Sequence, residues 1–222
     1  VVGITEFEPM DYQNTDGEWI GFDADLAKEF AESLGVTVEF QLIDWDNKVM
    51  ELDGKTIDVV WNGMTLTEDV LAAMECSQPY LINQQVVVVP ADVAEDYQTE
   101  ESLADLNFAV EIGSAGCEVA QANGYSYTEV ADQATALLEV ASGTADAAII
   151  DSLMAGAMIG EGTSYADMTS TVALTSEEYG VGFRKGSDLA ATLNEFLSGK
   201  YADGSIQTLA ETYGVQDALV QE

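Results

Sequence analysis

The chain has 222 residues, 47% of them hydrophobic, which gives room for one large domain or two of about 100 residues and argues against disorder. Only 6 residues are Lys or Arg against 41 Asp or Glu, the formal net charge is −35, and there is no histidine. Nucleic acid is excluded as a partner, because phosphate contacts need clustered cations, and Ser-His-Asp, Cys-His and His-ligated zinc chemistry cannot be built. Val1 to Ile4 is short, apolar and strand-like, and Asp16-Gly17 is a hairpin turn signal. Phe22, Leu26, Phe30 and Leu34 recur every four residues before Gly35, which predicts an amphipathic helix with a glycine stop. Val36 to Leu42 alternates as a strand, Asp44 can cap a helix over Trp45 to Leu52, Ile57 to Trp61 is a buried strand, and Glu68 to Ala73 is a helix. This β-α-β-α-β-α order predicts a mostly parallel sheet.

The run QQVVVVP, Gln84 to Pro90, suits a fully buried strand or one that crosses between lobes, and the polar Asp92 to Thr99 reads as a linker. Alternation then restarts with a strand over Phe108 to Ile112, and GSAG, Gly113 to Gly116, opens a helix. Ala134 to Val140 is predicted helical, Ala147 to Ile150 is a strand ending in Asp151, and Met154 to Ile159 is helical. Strands over Val172 to Leu174 and Tyr179 to Phe183 precede two closing helices, Leu189 to Leu197 and Ile206 to Tyr213. GKTIDVVWNG and SGTADAAIID echo one another, so the chain reads as two similar α/β lobes. No stretch reaches the roughly 18 apolar residues of a membrane span. Cys76 and Cys117 are expected to be free thiols, since two residues make no disulfide framework and no CxxC is present.

GKT at Gly54 lacks the upstream glycine of a phosphate loop, no GxGxxG follows a strand, and the acidic loop Asp11 to Asp16 does not have EF-hand spacing. No metal or cofactor is expected, and what remains is binding. Ligands of open α/β sheets sit outside the carboxyl ends of strands. Three such ends carry small polar residues: Asn62-Gly63-Met64-Thr65-Leu66-Thr67, Gly113-Ser114-Ala115-Gly116 and Asp151-Ser152. Thr67 reads as an ordinary helix N-cap, whereas Asn62 and Thr65 are not explained by capping. Asp151 ends an apolar run, where a bare carboxylate is costly unless it meets water or a cation.

The segments GEWIGFDADLAKEFAESLGV, IDWDNKVMELDGKTIDVVWNGMTLTEDV, CSQPYLINQQVVVV, IGSAG, GTADAAIID, EEYGVGFRKGS and ADGSIQTLAETYG together resemble the extracellular solute-binding proteins, family 3, of bacterial amino-acid ABC importers. The resemblance spans nearly the whole chain. It implies the type II periplasmic-binding-protein fold: two Rossmann-like α/β lobes joined by two crossing hinge strands, closing over a small solute. Lobe 1 is then 1–85 with 184–222, and lobe 2 is 86–183. It further implies no catalytic activity, a monomer, a membrane permease as partner, and a place outside the cytoplasm, periplasmic or lipid-anchored.

By the same resemblance Phe7 and Trp45 are the aromatic pair around the ligand. Gly63 and Thr65 match the GMT motif, with Asn62 just before. Gly113, Ser114 and Ala115 match a GTT-like loop, and Asp151 matches the amine-binding aspartate. The family's arginine, three residues after the second Thr of TxT, holds the ligand carboxylate; here that position is Val70, and Ala115 stands where a hydroxyl is frequent. The ligand is therefore expected to be an amine or an atypical amino-acid-like solute. The alternative is an ordinary polar amino acid whose carboxylate meets Thr65, Ser114 and backbone N–H groups. More remote are a dehydratase-like enzyme on the same fold and a ligand-sensing domain.

Overall fold

A computed structural model describes residues 1–221. The chain divides into two compact units, Val1–Ile82 together with the chain from Glu178 onward, and Asn83–Glu177. Unit 1 begins with β1 (Val2–Ile4), a hairpin of β2 (Tyr12–Gln13) and β3 (Trp19–Ile20), α1 (Phe22–Ser33) and β4 (Phe40–Leu42). A 3₁₀ turn over Trp45–Asn47 leads into α2 (Lys48–Gly54), then β5 (Val59–Thr65), α3 (Glu68–Ala73) and β6 (Glu75–Cys76). After β7 (Leu81–Asn83) unit 2 holds β8 (Gln85–Pro90), β9 (Asn107–Glu111), α4 (Ala115–Asn123), β10 (Ser126–Val130), α5 (Gln133–Ser142), β11 (Ala147–Asp151), α6 (Ser152–Met158) and β12 (Met168–Ala173). The chain returns through β13 (Glu177–Phe183) and ends in α7 (Leu189–Asp203) and α8 (Ser205–Tyr213).

Each unit is built on a mixed sheet of one pattern. Unit 1 runs β4-β1-β5-β13-β6, with β7 also on β13, and unit 2 runs β10-β9-β11-β8-β12. In both, three parallel strands are extended by antiparallel ones. Strands β5 and β11 are almost wholly buried, which explains their continuous apolar runs. Unit 2 packs its core from Val87, Val89, Leu103, Phe108, Val110 and Ile149. Asp132 caps α5 by accepting the Thr135 N–H at 2.7 Å, and Gly143 ends that helix at φ 75°.

Several expectations shift. β4 starts only at Phe40, because its partner β1 is three residues long and its register covers only Phe40 to Leu42. Asp44 makes no side-chain cap on the turn that follows. Asp92 to Thr99 is no linker, since Val93, Ala94 and Tyr97 pack on the unit 2 core. Strand β10 was not foreseen; its Ser126 and Glu129 are exposed and interrupt any apolar alternation. The units meet in sequence at Ile82/Asn83 and Glu177/Glu178, not at 85/86 and 183/184. The displacement at the second boundary has a plain cause: Tyr179 to Phe183 pair with β5 across Thr65 to Val59 and so belong to unit 1. Cys76 in unit 1 and Cys117 in unit 2 are both free thiols. Among the described residues no helix is long and apolar enough to cross a membrane.

Candidate functional site

Asn62 and Gly63 looked like a strand end. They lie inside β5, which continues to Thr65. Gly63 has φ +53°, and a Cβ there would stand 2.6 Å from the Phe7 ring and 3.0 Å from the Tyr179 ring. The glycine thus brings two buried aromatics onto the β5 backbone, with Phe7 edge-on to Tyr179 at 6.4 Å between centroids. Asn62 turns inward. Its Oδ1 accepts the Thr5 N–H at 2.9 Å and the Thr5 hydroxyl at 2.7 Å, while its Nδ2 donates to Thr5 O at 3.1 Å and Asp11 Oδ2 at 2.8 Å. Both ends of its amide therefore tie β1 and the Asp11 turn to β5.

Trp45 and Val70 share one apolar cluster with Leu52, Ile57, Val60, Met64 and Met74. Lys48 Nζ lies 4.7 Å from the Trp45 ring centroid. The Val70 N–H is the group that the Thr67 hydroxyl caps, at 3.3 Å. The side chain at position 70 is thus buried packing, with no charge to offer an anion. Thr65 is half-buried at the end of β5, opposite Tyr179.

Beneath this surface lies a pair of acids that sequence reading passed over. Asp23, in the first turn of α1, accepts the Gly63 N–H at 2.7 Å and the Tyr80 hydroxyl at 2.8 Å. Asp11 and Asp23 are fully buried. Burial raises the Asp11 carboxyl well above the usual range, and the neighbouring Asp23 and Asp25 charges raise it further, against the Asn62 bond and Lys28. Burial also lifts Asp23 to about 7, opposed by hydrogen bonds from Gly63 and Tyr80. The Tyr80 phenol is driven up by burial and by Asp23. A carboxyl with a raised native pKa holds its proton more tightly folded than unfolded. Its contribution to stability is therefore full below the unfolded value near 4 and is lost as pH rises through about 7. The melting-temperature difference between wild type and Asp23→Asn is expected to move in favour of wild type as pH falls from 8 to 5. A difference that stays constant over that range contradicts the assignment.

In unit 2, Ser114 opens α4 and accepts the Cys117 N–H at 3.1 Å, leaving its own hydroxyl proton to give; Ala115 is the first helical residue. Asp151, at the end of β11, is 4% exposed. Three carboxamides donate to it: Gln85 Nε2 at 2.6 Å, Asn83 Nδ2 and Gln133 Nε2. The Gln133 Oε1 takes the Asp151 backbone N–H at 2.9 Å, so one side chain holds both main chain and carboxylate. The start of α4 lies against the same cradle, since a Cβ on Gly116 would stand 2.9 Å from Gln85 Oε1. The structure thus brings the Ser114 turn and Asp151 together in unit 2, and Phe7 and Gly63 together in unit 1. Asn83, Gln85 and Gln133 were missed; the available signal was a glutamine heading a run of buried valines, which needs a polar partner.

The chain matches the profile of bacterial extracellular solute-binding proteins, family 3, over residues 1–216. It is 28% identical over 210 residues to the L-cystine-binding protein TcyJ of Escherichia coli K12, covering 93% of this chain and 79% of that protein. Among solved structures, a mutant of ArgBP from T. maritima superimposes with a TM-score of 0.88 at 34% identity, covering 96% of this chain and 93% of the other. The ancestral amino acid-binding protein AncCDT-1, described as a precursor of cyclohexadienyl dehydratase, gives 0.87 at 31% identity over 96% of this chain and 93% of its own. With a profile match over nearly its whole length and the type II periplasmic-binding-protein fold of its structural neighbours, the chain belongs to the bacterial extracellular solute-binding proteins, family 3.

Proposed function

We propose that this protein captures an amino acid or a related small amine outside the cytoplasm and delivers it to an ABC permease, without catalysing a reaction on it. The observation that carries this is Asp151: a buried carboxylate at the end of a parallel strand, oriented by three carboxamides in a chain of a solute-binding family. A carboxylate so held is suited to a ligand ammonium group. In unit 1 we assign Phe7, Trp45, Gly63 and Thr65 to ligand contact, and Asn62 to holding that surface in place through Thr5 and Asp11. Position 70 supplies packing where the family's usual arginine would supply a carboxylate clamp.

A second reading has one observation in its favour. Ser114 opens α4 with a donatable hydroxyl, so a ligand carboxylate has a partner in Ser114 and the backbone N–H groups there even without the arginine. A thermal-shift panel of the standard amino acids, polyamines and quaternary amines separates the two. A true ligand raises the melting temperature by mass action. Shifts from amines and cationic amino acids are the expected result. Shifts from neutral amino acids alone favour the second reading, and no shift from any member overturns solute capture of this class. Catalysis predicts product formation from the bound solute, and none is expected by chromatography after prolonged incubation.

A further inference from the structure

The two buried acids of unit 1 are joined to Phe7 by a closed ring of contacts. Asp11 holds the Phe7 loop by its main chain: the Phe7 N–H donates to Asp11 O at 2.7 Å, and the Asp11 N–H donates to Phe7 O at 2.8 Å. The Asp11 side chain is fixed to β5, where Asn62 Nδ2 donates to Oδ2 at 2.8 Å. On the next residue of that strand, the Gly63 N–H donates to Asp23 at 2.7 Å, and the missing Cβ of Gly63 admits the Phe7 ring. The Tyr80 hydroxyl lies 2.8 Å from either oxygen of Asp23. Phe7, Asp11, Asn62 and Gly63 therefore move as one, and Asp23 anchors them through Gly63.

Both carboxyls are fully buried. Among the described residues neither forms an ion pair, and Asp11 Oδ1 has no hydrogen-bond partner. The charged and titratable groups around them are Asp25 and Lys28 on α1 and the Tyr80 phenol. Lys28 is bonded to Asp25 and to the Trp19 carbonyl, and Tyr213 of α8 donates to Asp25. Two acids so buried are costly to ionise together. We propose that Asp11 and Asp23 are positioning residues of the unit 1 ligand surface, holding Phe7 against Gly63 only while the pair retains a proton. Solute capture then takes up a proton from solvent and weakens as the solution turns alkaline. This rests on the reading of Phe7 and Gly63 as ligand contacts. The sign follows from burial: a carboxyl lifted to about 7 favours the ordered, proton-bound surface at lower pH and ceases to favour it as pH rises through that value. The apparent affinity falls with the fraction of protein in which the surface is ordered.

Calorimetric titration of the full chain with L-arginine, L-glutamine and putrescine from pH 6 to 8.5 tests it, on wild type, Asp23→Asn and the double variant Asp11→Asn/Asp23→Asn. Wild type is expected to bind its tightest probe at least fivefold more weakly at pH 8.5 than at pH 6. Heats in phosphate and Tris buffers at pH 7.5 are expected to show uptake of a fraction of a proton. Asp23→Asn is expected to lose most of the slope, and the double variant to change less than twofold. Titration of the probe is common to all three proteins, so a difference in slope belongs to the pair. A merely structural acid would lower the melting temperature of its variant and leave the slope as it was. Equal slopes in all three proteins therefore overturn the proposal, as does an affinity that rises with pH. If neither variant folds, the infrared spectrum of wild type carries the test. The band of a protonated carboxyl must be present at pH 6, weaken toward pH 8.5, and weaken less with the probe bound; a band that is absent or unmoved by the probe overturns the proposal. A probe that binds with a flat profile overturns the role of the pair and leaves solute capture standing. No heat with any probe, together with no shift in the wider panel, overturns both.

Discussion

Asp151→Asn is expected to lower affinity for the solute found by thermal shift at least 100-fold, and to lower the melting temperature by several degrees. The two effects have separate origins. The affinity loss follows from removing a charged partner inside a buried, hydrogen-bonded site, where such losses run to about 3–5 kcal/mol and every 1.4 kcal/mol is a factor of ten. The stability loss follows from the cradle. Asp151 accepts from Asn83, Gln85 and Gln133. An amide in its place keeps one acceptor but turns an NH₂ toward another NH₂. Gln133 cannot simply rotate to relieve this, because its Oε1 holds the Asp151 backbone N–H. An unsatisfied buried donor costs about 1–3 kcal/mol, or about 2–10 °C for a chain of this size. Asp151→Ala should lose similar affinity with a comparable or larger drop in melting temperature, since all three carboxamides lose their acceptor. Calorimetry and thermal melts on the two variants check both. Retained affinity in Asp151→Asn would mean that the position acts as a neutral acceptor, and the pairing with an ammonium would fail.

What could be read in the sequence is what local pattern encodes. The Ser114 cap, the apolar run ending at Asp151 and the β-α alternation each depend on residues within a few positions of one another. What could not be read depends on partners far away along the chain. Asp23 sits in the first turn of α1, where an acid is ordinary; its partners Gly63 and Tyr80 come from 40 and 57 residues away. Gly63 reads in the sequence as a strand end because glycine usually breaks a strand. Here its missing side chain makes room for Phe7 and Tyr179 while the strand continues. Asp11 is one acid among 41, and only its bond from Asn62, 51 residues on, distinguishes it from the solvated rest.

Gly21→Ala is expected to destabilise the fold by at least about 3 kcal/mol, or to prevent folding, although position 21 touches no proposed ligand. Gly21 precedes α1 with φ 130° and ψ 170°, a conformation that residues with a Cβ essentially do not adopt. An added Cβ would stand 2.0 Å from Met10 O and 2.9 Å from Pro9 O. These carbonyls cannot yield freely. Pro9 O accepts the Phe22 N–H at 2.9 Å, and Met10 O accepts those of Asp23 and Ala24 at 3.1 and 3.2 Å. In place of a side-chain cap, α1 has the backbone of the 9–10 turn on its first N–H groups. Moving that turn aside breaks these bonds, at about 1 kcal/mol each, on top of a strain of about 1–3 kcal/mol. The sum approaches the whole stability of an ordinary domain, and a melting temperature lower by about 10 °C is the least expected. The same displacement carries Asp11 away from Asn62 and disturbs the surface at Phe7, so affinity should fall with stability in any Gly21→Ala protein that folds. Gly199→Ala is the control: in the middle of α7, with open space around its Cα, it should gain about 0.5–1 kcal/mol from helix propensity. Equal melting temperatures for the two variants would show that close backbone approach at Gly21 does not hold the 9–10 turn against α1.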